Sequence, residues 1–269
     1  TEPIMEKLLT YRFTEGSLSG QSFGNLILAA LNGVTGSFEE AVSQMSQVLA
    51  ITGRVIPVTS ADVQLEAIFE NGARVVGESK IYHFKKEQDC RIAHVALLPE
   101  RPAALPAALQ AIREADLILM GPGSLYTSVI PNLLVEGVVE AICRSEALKI
   151  YVCNIMTQEG ETEGYTAADH VDALLSHGAP GLVDLCLANS APVRPGLVEK
   201  YREEDAAPIL VDRERIRAMG LELEEYPVAS EGGDYARHDP DRLAAAVLDV
   251  YRRRAVRIFR GEQRYIIEE

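Results

Sequence analysis

Apolar positions recur at helical spacing from the start of the chain, where Ile4, Leu8, Leu9 and Phe13 share one helix face. A second helix is predicted over 24–32. A third follows Ser37, which forms a capping box with Glu40 ahead of Ala41, Met45, Val48 and Leu49. The texture then changes. The runs 54–59, 63–69, 74–77 and 92–98 are rich in β-branched residues, and Asn71-Gly72 between two of them predicts a type I′ hairpin. Together they predict a small antiparallel β insertion over 54–98.

From Leu105 onward the pattern alternates between helix and strand. Helices are predicted over 105–114, 129–144, 165–176 and 195–203, and buried strands over 116–120, 149–154, 182–189 and 208–211. Short, wholly apolar strands separated by amphipathic helices predict a parallel sheet covered on both faces. A last helix is predicted over 241–260. It ends in Arg252, Arg253, Arg254, Arg257 and Arg260, a solvated basic end that suits the helix dipole. The fold class is α/β with an antiparallel excursion, without internal repeats or a low-complexity linker.

Composition narrows the function classes. The 269 residues carry 26 Lys and Arg against 40 Asp and Glu, a net charge of −14, with 47% hydrophobic and 25% charged residues. This is ordinary globular composition. The acidic balance argues against nucleic acid or a membrane surface as partner, yet it leaves anionic ligands open, because backbone N–H groups at helix starts bind phosphate whatever the net charge. Cys90, Cys143, Cys153 and Cys186 form no CxxC pair, and Cys143, Cys153 and Cys186, in apolar runs, read as buried reduced thiols, which suits a cytosolic protein. No apolar run reaches membrane-spanning length, and no basic-then-apolar leader opens the chain.

Candidate chemistry gathers in loops that follow the predicted strands, where ligand crevices of parallel sheets lie. Gly121-Pro122-Gly123-Ser124 leaves the strand 116–120 and offers backbone N–H groups and a hydroxyl to an anion. It lacks the Gly-Lys-Ser/Thr of a Walker A loop and the third glycine of GxGxxG, so a plain tight turn is the competing reading. The loop 154–162 (Asn-Ile-Met-Thr-Gln-Glu-Gly-Glu-Thr) is long and dense in hydrogen-bonding side chains, with Thr166, Asp169 and His170 just beyond it; there Thr162 or Thr166 serves equally as a helix cap. Asn189-Ser190 follows a third strand, where turn chemistry comes first. Before helices stand Ser19-Gly20-Gln21-Ser22-Phe23-Gly24-Asn25 and the 232–240 segment with Arg237 and His238. In the latter, Asp239 as N-cap and Pro240 at the first helical position explain part of the pattern. Tyr201, between Lys200 and Arg202, presents a ring to a base or makes a half-buried packing contact. The sequence has no nucleophile elbow, no HExxH motif and no His/Cys/carboxylate set with metal spacing. Spacing alone reaches an anion- or nucleotide-binding α/β protein.

The segments 19–25, 121–128 (Gly-Pro-Gly-Ser-Leu-Tyr-Thr-Ser), 151–162 (Tyr-Val-Cys-Asn-Ile-Met-Thr-Gln-Glu-Gly-Glu-Thr), 165–170 and 237–239 recur in this order in one family. In them the chain resembles the YvcK-type gluconeogenesis factors, which share a fold with the CofD-type 2-phospho-L-lactate transferases. The resemblance runs from Thr1 to about Tyr251. It implies a single CofD-like domain over 1–269: a Rossmann-like, mostly parallel sheet with helices on both faces and the small antiparallel β insertion. It implies a cytoplasmic bacterial protein that binds UDP-glucose or UDP-N-acetylglucosamine without assigned turnover and serves growth and cell shape on gluconeogenic carbon sources through the cell-wall synthesis machinery. Carried over by position, Gly121, Gly123 and Ser124 hold phosphate, Asn154 and Thr157 line the crevice, and Tyr201 and Arg237 meet the nucleotide. Asn25 and Asn189 complete the candidate set, and the catalytic residues stay unassigned. The CofD likeness admits a Mg²⁺-dependent phosphoryl or nucleotidyl transfer and a homo-oligomer. Two departures qualify the match. The family's Gly-Gly-Gly-Thr-Gly loop and Asp-Asp-Gly-Gly segment are absent from these 269 residues, an expected loss of one phosphate-facing loop and of acidic groups for a metal. Gln21 also stands where the family has His, which removes a titratable group.

Overall fold

In the computed structural model, residues 3–88 and 90–259 are described. The chain groups into two units, one comprising 1–62 and 103–111, the other 63–102 and 112–269. In the first, α1 (Pro3–Thr10), α2 (Phe23–Thr35) and α3 (Phe38–Val48) pack consecutively. Ser22 caps α2 by accepting from the Asn25 amide at 3.4 Å, and Ser37 caps α3 by accepting from Glu40. The predicted capping box at Ser37 is half made: the Glu40 carboxylate instead accepts from Gln44 one turn on, at 2.7 Å. The run 54–59 forms no strand, a correction to the predicted insertion.

The second unit holds two sheets. The antiparallel one comprises β1 (Gln64–Phe69), β2 (Arg74–Val76) and β3 (Ile92–Leu98) in the order β2-β1-β3. The β1–β2 turn is a three-residue loop: Phe69 N–H donates to Ala73 O at 2.9 Å, and only Gly72 has positive φ. A type I′ turn needs positive φ at Asn71 as well, so the prediction of a hairpin stands and its turn type is corrected. Between β2 and β3 lies α4 (Glu78–Gln88), which the sequence pattern did not reveal.

After α5 (Pro106–Glu114, residues 106–111 belonging to the first unit) comes the main sheet, β4 (Leu117–Met120), β5 (Leu148–Val152), β6 (Leu185–Asn189) and β7 (Glu222–Tyr226). All pairings are parallel and the order is sequential. Right-handed crossovers in such an order place the connecting helices on one face. One connecting helix is α8 (Ala167–His177), whose His170 stacks on Tyr151 of β5. The opposite face, with Leu148, Ile150, Val152, Leu185 and Leu187, packs under Ala246, Val247 and Val250 of the last helix, α11 (Pro240–Phe259). Helices therefore cover both faces, as expected.

Three predictions are corrected here. The segment 129–144 is broken into α6 (Ile130–Leu133), which follows a π-helical turn (Leu125–Val129), and α7 (Val138–Arg144), because Gly137 turns the chain at φ +83° between them. Pro208–Val211 forms no strand; Pro208 makes a single antiparallel bridge to Met156. The fourth parallel strand is β7, reached through α9 (Pro195–Arg202) and α10 (Arg213–Ala218). Its acidic side chains pair with Arg253 and Arg254 of α11, so part of the expected solvated basic end is tied to the sheet. Arg260 and the Arg257 side chain lie outside the described residues.

Candidate ligand-binding site

Parallel pairing sends the loops after β4, β5, β6 and β7 out of one edge of the sheet. Gly121 opens the first loop at φ +81°, and a Cβ there would lie 3.0 Å from Val152 O and 3.8 Å from the Tyr151 ring. Both the conformation and the closeness of β5 call for glycine. The loop is tied to its neighbour twice. The Asn154 side-chain amide donates to Gly123 O at 3.0 Å, and Ser124 Oγ donates to Gln158 Oε1 at 2.8 Å.

Asn154 and Asn189 line one cleft, together with Cys153, Ile155, Val193 and Pro208; counted out to solvent it spans about 440 Å³. The Asn189 amide shapes its wall. Nδ2 donates to Ala191 O at 2.7 Å, while Oδ1 accepts from the amides of Ala191 and Ala229, both at 3.1 Å. Thr157, expected in the crevice, is buried and not among the residues that line this cleft; its hydroxyl accepts from the Ala207 amide at 2.9 Å. His238 is tied to a lining residue: its Nε2 donates to Cys153 O at 3.1 Å, and burial holds its ring below the ordinary imidazole range.

Tyr201 is half-buried beside a cluster of Ile155, Met156 and Ala229, and its hydroxyl accepts from the Ala236 amide at 3.2 Å. It fastens the 232–239 loop as well as offering a ring. Arg237 is exposed on that loop, its guanidinium carbon 5.4 Å from the Tyr235 ring centre; Lys200 Nζ lies 4.2 Å from the same centre. Asp239 caps α11 by accepting from the amides of Asp241 and Arg242, as the sequence suggested. Gly123 keeps negative φ and meets only ordinary contacts. Asn25, in the first unit, is an exposed residue in the first turn of α2. The second unit thus brings Gly121, Gly123, Ser124, Asn154 and Asn189 to one sheet edge.

Three contributors escaped sequence reasoning. Gln158 and Glu161, on the long loop after β5, reach the glycine loop: Glu161 Oε1 accepts from the Thr127 amide at 3.0 Å. Cys153 lines the cleft. The density of polar side chains in 154–162 was the available signal, but it does not say which ones turn inward.

A family model described as 2-phospho-L-lactate transferase CofD matches residues 1–229. The chain belongs to the CofD family. Among curated proteins this CofD-family chain is 48% identical over 248 residues to the putative gluconeogenesis factor of Thermoanaerobacterium thermosulfurigenes, covering 92% of the chain and 76% of the relative. It is 45% identical over 250 residues to the gluconeogenesis factor of Bacillus subtilis (strain 168), covering 93% and 78%. A crystal structure of a UPF0052 family member from Bacillus halodurans superposes with a TM-score of 0.86 at 42% identity, covering 92% of this chain and 79% of that one. The resemblance read from the sequence motifs, the YvcK type within the CofD fold, is thereby shown. Among the described residues no helix is long and apolar enough to cross a membrane.

Proposed function

We propose that the protein is a gluconeogenesis factor that binds a nucleotide sugar, UDP-glucose or UDP-N-acetylglucosamine, at the carboxyl edge of its parallel sheet and acts by holding it without turnover. The observation that carries this reading is the Asn154–Gly123 hydrogen bond, which sets a turn rich in backbone N–H groups beside the cleft. Gly121, Gly123 and Ser124 take the diphosphate, Asn154 and Asn189 contact the ligand in the cleft, and buried Thr157 fixes the Ala207 amide. Half-buried Tyr201 and exposed Arg237 meet the nucleotide. Asn25 rests on the 19–25 motif alone. In this reading the protein works in the cytoplasm, and its bound state is read by the cell-wall synthesis machinery or by a second copy, in support of growth and cell shape on gluconeogenic carbon sources. Isothermal titration of the intact protein with both UDP-sugars tests it. Saturable binding weakened by Arg237→Ala is expected, and no heat at millimolar ligand overturns it.

The transferase description of the matching family model favours a second reading, CofD-like phosphoryl or nucleotidyl transfer. Such chemistry needs positioning and charge neutralisation rather than a covalent nucleophile. Among the described residues no group of three or more His, Cys, Asp or Glu could hold a metal ion. The described residues thus offer no ready-made cage, and a Mg²⁺ ion would have to be held largely by the phosphates of its substrate. Metal-dependent release of UMP or another phosphate-bearing product over hours would favour this reading.

A further inference from the structure

Glu161 turns its carboxylate into the protein. The residue is 3% exposed; Oε1 accepts the Thr127 amide at 3.0 Å, and Oε2 has no hydrogen-bond partner among the described residues. Thr127 lies three residues beyond Ser124, within roughly 11 Å along the chain. The carboxylate thus sits on the same glycine-led turn that receives the diphosphate in the function proposed above.

The hydrogen bonds this carboxylate receives come from the turn itself, from Thr127 and the amides of Leu125 and Tyr126. The turn itself contributes Tyr126, and β5 contributes Tyr151, fully buried with an unpartnered hydroxyl. From α8, His170 stacks on Tyr151 and leaves Nε2 unpartnered. The cation from α4, Lys85, pairs with Glu163 at 3.1 Å. The loop carrying Glu161 is also latched to α4. Tyr82 Oη donates to Glu159 at 2.7 Å, Lys86 pairs with Glu159 at 2.7 Å, and a Cβ on Gly160 would meet the Tyr82 ring at 2.3 Å. A carboxylate fixed in this way is relieved more readily by taking a proton than by moving.

We propose that Glu161 is a proton-controlled gate on the nucleotide-sugar site: ionised, it opposes a diphosphate at the Gly121–Ser124 turn, and protonated, it admits one. The proposal rests on the nucleotide-sugar reading. Burial pushes the Glu161 carboxyl up to about 7, against the hydrogen bonds from Thr127 and the nearby amides of Leu125 and Tyr126. The gate therefore works near neutral pH.

Isothermal titration of the intact protein with the UDP-sugars across roughly pH 6–8 tests this, because the diphosphate diester keeps its charge over that window. Burial holds His170, His177 and His238 below the ordinary imidazole range. Wild-type affinity is expected to fall roughly fivefold from the acidic to the basic end, which is what a roughly tenfold preference for the protonated form, the scale of one partly screened charge acting across about 10 Å, gives over this window. Glu161→Gln should bind at the tight level throughout. Binding with no pH slope, or an equal slope in Glu161→Gln, overturns the gate. Absence of heat at every pH in both proteins instead overturns the nucleotide-sugar reading, and the gate with it. Ligand-free melts give an independent check. A carboxyl whose folded pKa is raised stabilises the protein at low pH, and that stabilisation is lost as pH rises from about 4.5 to about 7. The loss should be missing in Glu161→Gln, and parallel curves overturn the proposal.

Discussion

The Asn154 side chain donates to the carbonyl oxygen of Gly123 at 3.0 Å, joining the end of β5 to the loop that leaves β4. Strand pairing stops at Met120 and Tyr151, so beyond that point this bond and the Ser124–Gln158 bond hold the two loops in register.

Asn154→Ala should therefore loosen the glycine loop. A part-buried hydrogen bond of this kind is worth about 1 kcal/mol. A small drop in denaturation midpoint is expected, together with a larger loss of UDP-sugar affinity, because the loop is then no longer preorganised. Binding equal to wild type would remove Asn154 from the site.

Tyr201 and Arg237 should separate cleanly. Tyr201 is packed against apolar neighbours and accepts the Ala236 amide, so Tyr201→Ala should destabilise the protein by about 2–4 kcal/mol. Arg237 is exposed, and Arg237→Ala should leave the melting temperature within a degree or two while weakening ligand binding by about 1–3 kcal/mol. Calorimetry of both variants, melted and titrated, decides. An Arg237→Ala protein that binds normally would refute the placement of the nucleotide.

His177 should make the fold acid-sensitive. Its Nε2 accepts the Val95 amide at 3.0 Å and its Nδ1 donates to Ala173 O at 2.7 Å, an arrangement available only to the neutral ring. Burial depresses its pKa to about 4. Stability supplied by the neutral ring is complete above about pH 6.5 and is lost as pH falls towards 4, by up to roughly 3 kcal/mol. Because Glu161 contributes in the opposite sense over the same range, the His177 contribution is read as a difference: in thermal melts between pH 7 and 4.5, wild type should lose more stability on acidification, relative to its value at pH 7, than His177→Gln does.

Gly160 should tolerate no side chain while Tyr82 is present. Its φ is +76°, and a Cβ would lie 2.3 Å from the Tyr82 ring. Gly160→Ala should cost about 1–3 kcal/mol. In a double-mutant cycle, Tyr82→Ala should recover part of that cost, and additive losses would show that the two positions do not touch.

Much of this protein was legible from local pattern. The strands 117–120, 148–152 and 185–189 are short, largely apolar runs, with Lys149 inside the second and Asn189 closing the third, and the helix 167–177 between the last two carries an apolar face. β7 was not legible, because Glu222-Leu223-Glu224-Glu225-Tyr226 reads as a polar surface segment. The arginines of α10 and α11, brought over it by the fold, pair with its acidic side chains. α4 was hidden for a similar reason: its buried Lys85 is matched by Glu163, distant in sequence.

At the site the division is sharper. The residue types determined that Gly121–Ser124 would be a turn and that 154–162 would be rich in hydrogen-bonding groups, since glycine freedom and side-chain chemistry are properties of single residues. Tertiary structure decided their partners: Asn154 with Gly123, Ser124 with Gln158, and Glu161 buried against Thr127. Burial and hydrogen-bond geometry arise only when separated segments meet, and they set whether a carboxyl at position 161 is an ordinary surface acid or one whose proton leaves near pH 7.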